Sequence, residues 1–327
     1  MREALCLDVG VTEFELIRRL TPLLPTNDFV VTGCGDDCAV LELGAPDHQT
    51  LFKTDAVVEG VHFTSGTEPE RVGHKALARC LSDIAAMGGT PTAALVTLGL
   101  PPGFQAERIQ GIYRGLQRLA VRHQVAIVGG ETTTNPGGLL ISIALLGTVP
   151  RGKALLRSGA RAGDALFVTG ELGGSIDGHH LDFEPRLAEG RWLLECGYVR
   201  AMMDVSDGVA GDLPKILEAS GSLGAQLLKS ALPIRREARV RAKSGDLAKP
   251  AALAALTDGE DFELLFTVAA GDAVRILDAW KQAFPAVRLT CIGKITASPG
   301  VFLRGPEGLR PLTVHGYEHF RGPTKLL

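Results

Sequence analysis

Glycine set beside acid recurs along this chain and restricts its fold more than any other feature. The pattern appears at Gly35-Asp36-Asp37, Gly129-Gly130-Glu131, Asp204-Val205-Ser206-Asp207-Gly208 and Gly259-Glu260-Asp261. Glycine supplies 40 of 327 residues, about 12% against a usual ~7%. Most of these pieces stand where a strand-like run ends or a helix-like run begins, so the chain reads as an α/β (α+β) protein whose turns carry carboxylates. A short acidic side chain on a glycine turn is a hard oxygen ligand at a fixed position with room for water, which is what magnesium prefers. In most proteins one such aspartate is a cap or an Asx turn, so only their number points to metal binding.

The alternation can be followed residue by residue. A capping box at Thr12 and Glu15 opens a helix with apolar Phe14, Leu16, Ile17, Leu20 and Leu24. Strands are expected over Phe29 to Thr32, Cys38 to Leu43 and Thr50 to Val58. Pro69 to Met87 is a buried helix that stops at Gly88-Gly89 and carries Ser82-Asp83. A strand Ala93 to Leu100, a helix Glu107 to His123 and strands Val125 to Val128 and Leu139 to Val149 complete a first unit, residues 1–150. Residues 151–327 form a second unit, with strands Ala165 to Thr169, Met202 to Val205, Ala225 to Leu228, Phe262 to Val268 and Leu289 to Ile295. Its helices are Val209 to Ala219 and Asp272 to Phe284. Two domains also suit the length, which exceeds what one core usually holds.

Composition narrows the function classes. A net charge of -3 gives no general affinity for nucleic acid or an anionic membrane, so an anionic ligand must be held locally. The longest apolar run, Leu139 to Val149, is broken by Ser142 and Gly147 and is about half a membrane span. The first residues are acidic where a signal peptide is basic, and the six cysteines form no CxxC pair, which together predict a cytoplasmic protein. No GxxxxGK[ST], GxGxxG or HRD motif occurs, and no Ser/His/Asp or Cys/His arrangement supports covalent catalysis.

Several carboxylates that converge could bind several magnesium ions, and those ions could bind polyphosphate, so an acidic site and an anionic substrate are compatible. Asp83 stands out because it lies mid-helix on or beside an apolar face, where an unpaired charge is costly. Asp204 follows a buried-looking strand and precedes a helix, a ligand position in open sheets, with capping by Ser206 and Asp207 as the alternative. Gly170-Glu171-Leu172-Gly173-Gly174-Ser175 resembles a phosphate loop or is a plain turn. Arg157 is either a phosphate contact or a solvated linker residue. His62 either positions a substrate or is structural.

In order, GDDCAVL, TDAVVEGVHF, ALARCLSDIAAMGGTP, VGGETT, RSGARAGD, VTGELGGS, MDVSDGVAGDL, DGEDFELLFT, CIGKIT and HGYEHF closely resemble the thiamine-monophosphate kinase family. Its superfamily includes aminoimidazole ribonucleotide synthetase, selenophosphate synthetase and a hydrogenase maturation factor. The matches run from about Glu13 to Phe320. The resemblance implies an N-terminal domain whose strands pair with a second subunit's in a dimeric barrel, and a C-terminal α/β domain closing over ATP and several magnesium ions. It implies metal ligands at Asp36, Thr54, Asp55, Asp83, Glu131, Asp204 and Asp207, nucleotide contacts at Gly130, Glu131, Arg157 and Ser206, and thiamine phosphate contacts at His62, Glu260 and Tyr317. The reaction implied is in-line transfer of the ATP γ-phosphoryl to thiamine monophosphate in a homodimer. A phosphate acceptor is already ionised, so no general base is needed, in keeping with a chain that offers carboxylates and no nucleophile.

The chain departs from that family at four places. Lys53 stands before Thr54-Asp55 where the family usually has serine, Glu131 replaces aspartate, Cys80 replaces asparagine, and Gly174 to Arg191 is shorter, as if a helix were lost. A sister enzyme of the superfamily, or a weakened paralogue that binds nucleotide or thiamine diphosphate as a sensor, is the alternative reading.

Overall fold

The computed structural model describes residues 13–245 and 248–317, and the side chain of Phe14 is outside the description. The first unit runs α1 (Glu13–Leu20), β1 (Val30–Thr32), β2 (Ala39–Leu41), β3 (His48–Val58), α2 (Pro69–Ala86), β4 (Thr90–Leu100), α3 (Ala106–Arg122), β5 (Ala126–Thr134) and β6 (Leu140–Pro150). The second contains β7 (Ala165–Thr169), α4 (His179–Asp182), α5 (Leu187–Cys196), β8 (Val199–Asp204), α6 (Val209–Ala219), β9 (Gly224–Leu228), α7 (Arg236–Arg241), α8 (Ala251–Thr257), β10 (Leu264–Val268), α9 (Ala273–Ala283), β11 (Leu289–Thr296), β12 (Gly300–Gly305) and β13 (Gly308–Pro311). Each unit has its own sheet. The order is β1-β2-β3-β6-β4-β5 in the first and β13-β12-β9-β11-β7-β10-β8 in the second.

Alternation along β3 sorts its side chains between two environments. Lys53, Asp55 and Val57 pair with Leu145, Ile143 and Ile141 of β6, on the face that α2 covers. Phe52, Thr54 and Ala56 pair with Leu146, Ala144 and Ser142 on the other face. There Phe52, Leu95 and Leu146 remain 45%, 47% and 38% exposed, so this face lacks an apolar cover among the described residues.

Helix α2 is the hub. It is buried nearly all round, against the first sheet, α3, α5 and the β8 strand of the second sheet. Two glycines permit the α2–α3 approach: a Cβ at Gly73 would lie 1.9 Å from the Ile112 carbonyl oxygen, and one at Gly115 would lie 1.9 Å from that of Glu70. Because β8 is an edge strand, its last residue, Asp204, reaches α2.

Several elements differ from the sequence reading. Strand β5 continues through Gly129-Gly130-Glu131 to Thr134 because β4 pairs with it along its whole length, so Glu131 lies within a strand and not at its end. Helix α1 stops at Leu20, ahead of a 3-10 turn containing Pro22, and the expected cap Thr12 lies outside the described residues. The stretch Gly174 to Arg191, shorter than the family pattern, carries α4 and the start of α5, neither of which was anticipated. The β12–β13 hairpin was also not anticipated.

Candidate active site

The cleft between the two sheets has a volume of about 830 Å³. Asp36, Asp55, Asp83, Asp204, Ser206 and Asp207 all line it, and Arg157 reaches it from the connection between the units. The sequence-predicted residues from five separate segments therefore meet in one place.

Its floor is a triad of buried carboxylates. Asp37 from the β1–β2 turn, Asp83 from α2 and Asp204 from the end of β8 each offer an oxygen, all within 4.8 Å of one another. Their partners differ. Arg157 Nη2 donates to Asp37 Oδ1 at 2.5 Å, Ser82 Oγ donates to Asp204 Oδ2 at 2.6 Å, and Lys53 Nζ lies 3.0 Å from Asp83 Oδ1. Asp37 Oδ2 is buried and has no hydrogen-bond partner among the described residues.

The electrostatics follow from crowding like charges where water is excluded. Burial, then the neighbouring charge of Asp37, raises Asp204 to about 6, against the pull of Ser82, Lys53 and Arg157. Burial and the charge of Asp37 also raise Asp36 to about 6, against the Arg157 backbone N–H, which donates to both Asp36 oxygens at 3.1 and 3.2 Å. Burial works against the charge of Lys53, but Asp83 and Asp55 outweigh it and hold the ammonium above the usual lysine range. On the walls, Arg79 Nε donates to Asp55 Oδ2 at 3.2 Å, and Lys215 Nζ donates to Asp207 Oδ2 at 2.7 Å.

A second cluster adjoins α2. Lys75 Nζ donates to the His62 carbonyl at 2.7 Å and to Glu260 Oε2 at 2.9 Å. Val58 N–H donates to His62 Nδ1 at 3.1 Å, which fixes the ring. Glu260 has φ +53° and Phe262 +51°, a left-handed pair held by the Glu260 N–H bond to the Ser206 carbonyl at 2.7 Å and the Phe262 N–H bond to that of Val205 at 2.8 Å. Tyr317 N–H donates to the Asp207 carbonyl at 2.9 Å, so the end of the described chain is tied to the same loop.

Thr54, Gly130 and Glu131 are not among the residues that line this cleft. Thr54 points to the face opposite Asp55, 3.5 Å from Ser142 Oγ, and Glu131 lies on the edge strand β5. Gly130 answers to packing, since a Cβ there would sit 1.8 Å from the Val96 carbonyl oxygen. In the Gly170-to-Ser175 segment Gly173 N–H donates to Asp261 Oδ1 and Gly174 N–H to Asp258 Oδ2, both at 2.9 Å, so these two donors serve the turn itself.

Asp37, Ser82, Lys75 and Arg79 were missed as site residues. The last two had a signal, since Lys75, Arg79 and Ser82-Asp83 recur at helical spacing along α2 and form one polar stripe on an otherwise apolar helix. Asp37 shared the signal of Asp36, the glycine-acid turn Gly35-Asp36-Asp37.

Two sheets with carboxylates gathered on the cleft between them define the class of enzymes related to AIR synthase. Residues 35–149 match the family AIR synthase related protein, N-terminal domain. The chain is 42% identical to the thiamine-monophosphate kinase of Rhodopirellula baltica over 283 residues, 84% of this chain and 86% of that one. It is 34% identical to that of Bacillus subtilis over 337 aligned positions, 94% and 99% of the two chains. A solved structure, AaThiL complexed with AMPPCP and TMP, superposes with a TM-score of 0.77 at 29% identity, covering 98% of this chain and 100% of that one. The chain belongs to the thiamine-monophosphate kinase family.

Proposed function

We propose that the protein transfers the γ-phosphoryl group of ATP to the phosphate of thiamine monophosphate, giving thiamine diphosphate and ADP, in the cleft floored by Asp37, Asp83 and Asp204. The observation that carries this reading is the convergence of carboxylates from four segments on one cleft, in a chain this similar to thiamine-monophosphate kinases. The complex of AaThiL with AMPPCP and TMP supports the choice of both substrates.

The donor set fits magnesium: three buried carboxylates within 4.8 Å, with Asp37 Oδ2 lacking a partner among the described residues, are hard oxygen ligands suited to a hard divalent ion. Asp37 joins Asp36, Asp55, Asp83, Asp204 and Asp207 as the residues we assign to hold it. Bound there, magnesium would neutralise the facing phosphates and the charge that develops on transfer. The chain's own part is positioning. Arg157 and Ser206 are assigned to the nucleotide, and His62, Glu260 and Tyr317 to thiamine phosphate. No side chain needs to move a proton, because the accepting phosphate oxygen is already ionised.

Residues 1–150 serve in this reading as the nucleotide, magnesium and dimerisation domain, and residues 151–327 as the domain that closes the site. A homodimer is supported by the uncovered apolar face of the first sheet, on whose side Thr54 lies, next to the edge strand bearing Gly130 and Glu131. The free thiols of Cys34, Cys38, Cys80, Cys196 and Cys291 suit a reducing, cytoplasmic setting. No helix among the described residues is long and apolar enough to cross a membrane.

The test is incubation of purified protein with thiamine monophosphate, ATP and magnesium, followed by chromatography. Thiamine diphosphate and ADP should form in equal amounts, and Asp83→Asn should abolish both. ATP binding with no thiamine diphosphate would overturn the kinase reading in favour of a nucleotide sensor.

A further inference from the structure

Lys53 projects from the middle of β3 onto the α2-covered face of the sheet and brings its ammonium to 3.0 Å from Asp83 Oδ1. Its anchor is a central strand, paired on one side with β2 and on the other with β6, so the backbone that carries it has little freedom to withdraw. Arg157 pairs with Asp37 in the same triad, whereas Asp204 is met by the neutral hydroxyl of Ser82. The fixed charges can therefore be counted. With all three carboxylates ionised, as ligation of a divalent ion requires, Lys53 and Arg157 leave the triad one negative charge. With a neutral residue at 53 the same triad would carry two, the charge that one divalent ion balances.

An ammonium and a divalent ion do not readily share one buried carboxylate oxygen. Each takes the lone pairs directed into the cleft, and at close range their charges repel with little water to screen them. We infer that Lys53 is a built-in cation: its ammonium takes one cation position on Asp83, and the chain consequently binds one divalent ion fewer than it would with a neutral residue there. This deepens the reading proposed above and rests on it for the use of divalent ions in the cleft. The number of ions is then set by one residue of β3, Lys53.

The experiment counts ions directly. Manganese bound per chain is measured by electron paramagnetic resonance at saturating AMPPCP for the unaltered protein, Lys53→Ser and Lys53→Arg. Lys53→Ser should bind one manganese ion more than the unaltered chain, while Lys53→Arg, which keeps the charge, should match it. Equal counts in the unaltered protein and Lys53→Ser would overturn the inference. Should Lys53→Ser fail to fold, crystals of the unaltered protein with manganese and AMPPCP answer the same question by anomalous scattering. Lys53 still paired with Asp83 Oδ1, with no manganese on that oxygen, sustains it; manganese on Asp83 Oδ1 with Lys53 swung away refutes it. Failure of the kinase reading is distinguishable, because it shows as absence of thiamine diphosphate from the unaltered protein whatever the ion count.

Discussion

The ammonium of Lys75 bonds both carboxylate oxygens of Glu260, at 2.7 and 2.9 Å, from a position on α2 with no exposure to solvent. The same nitrogen holds the carbonyl of His62. One buried group thus ties together two residues assigned to thiamine phosphate, one from each unit, and sets their spacing. Lys75→Met should raise KM for thiamine monophosphate about tenfold, equivalent to about 1.4 kcal/mol, and leave KM for ATP within about twofold. Burial lowers Lys75 to about 8 in spite of Glu260. As pH rises through 8 the ammonium discharges and its hold on Glu260 weakens, so this KM should rise in the unaltered enzyme and stay level in Lys75→Met. Steady-state kinetics at pH 7 and 9 checks both; equal effects on the two substrates would contradict the assignment.

Ser82 donates to Asp204 Oδ2 at 2.6 Å in a buried setting. Ser82→Ala leaves a buried carboxylate oxygen short of a donor and should cost roughly 1–3 kcal/mol, read by urea denaturation. It should also weaken manganese binding, because that bond helps keep Asp204 ionised.

Divalent affinity should fall as pH drops through about 6, because Asp36 and Asp204 are both raised to about that value and a ligand carboxylate must lose its proton. The stability of the metal-free protein runs the other way. These two carboxyls hold protons more tightly folded than unfolded, so their contribution to stability grows as pH falls from 6 towards 4 and is lost as pH rises through 6. Manganese titrations and thermal melts at pH 5, 6 and 7 would show the two opposed trends, and a flat manganese affinity would rule the assignment out.

Gly130→Ala would push a methyl group to 1.8 Å from the Val96 carbonyl oxygen. Strand β5 must shift away from β4, at about 1–3 kcal/mol for overpacking. The melting temperature should drop whether or not nucleotide is present. An unchanged melting temperature with lost ATP binding would instead assign Gly130 to the ligand alone.

Leu95→Asp puts a charge on the uncovered face of the first sheet beside Leu146 and Phe52. If that face is the dimer interface, sedimentation should show the unaltered protein as a dimer and Leu95→Asp as a monomer with its fold retained. Dimers in both would move the interface elsewhere.

Much of the fold was legible because burial writes periods into the sequence. The helix over Pro69–Ala86, the strand Ala165–Thr169 and the helix Val209–Ala219 follow directly from spacing, proline and glycine signals. Strand β5 was cut short at Val128 because a glycine pair reads as a turn when its partner strand is unknown. The short helices α4, α7 and α8 and the β12–β13 hairpin lack a strong period of their own and are held by packing.

Acidic turns, the absence of any nucleophile and the order of the motifs are local properties, so the sequence by itself determined the reaction class and most of the carboxylates at the site. Tertiary structure alone decided which charges meet. It placed Asp37, Asp83 and Asp204, far apart in the chain, within 4.8 Å, and it gave Lys53, Arg157 and Lys75 their carboxylate partners. Ion pairing depends on separation in space and on exclusion of water, and neither is set until the two sheets close on α2.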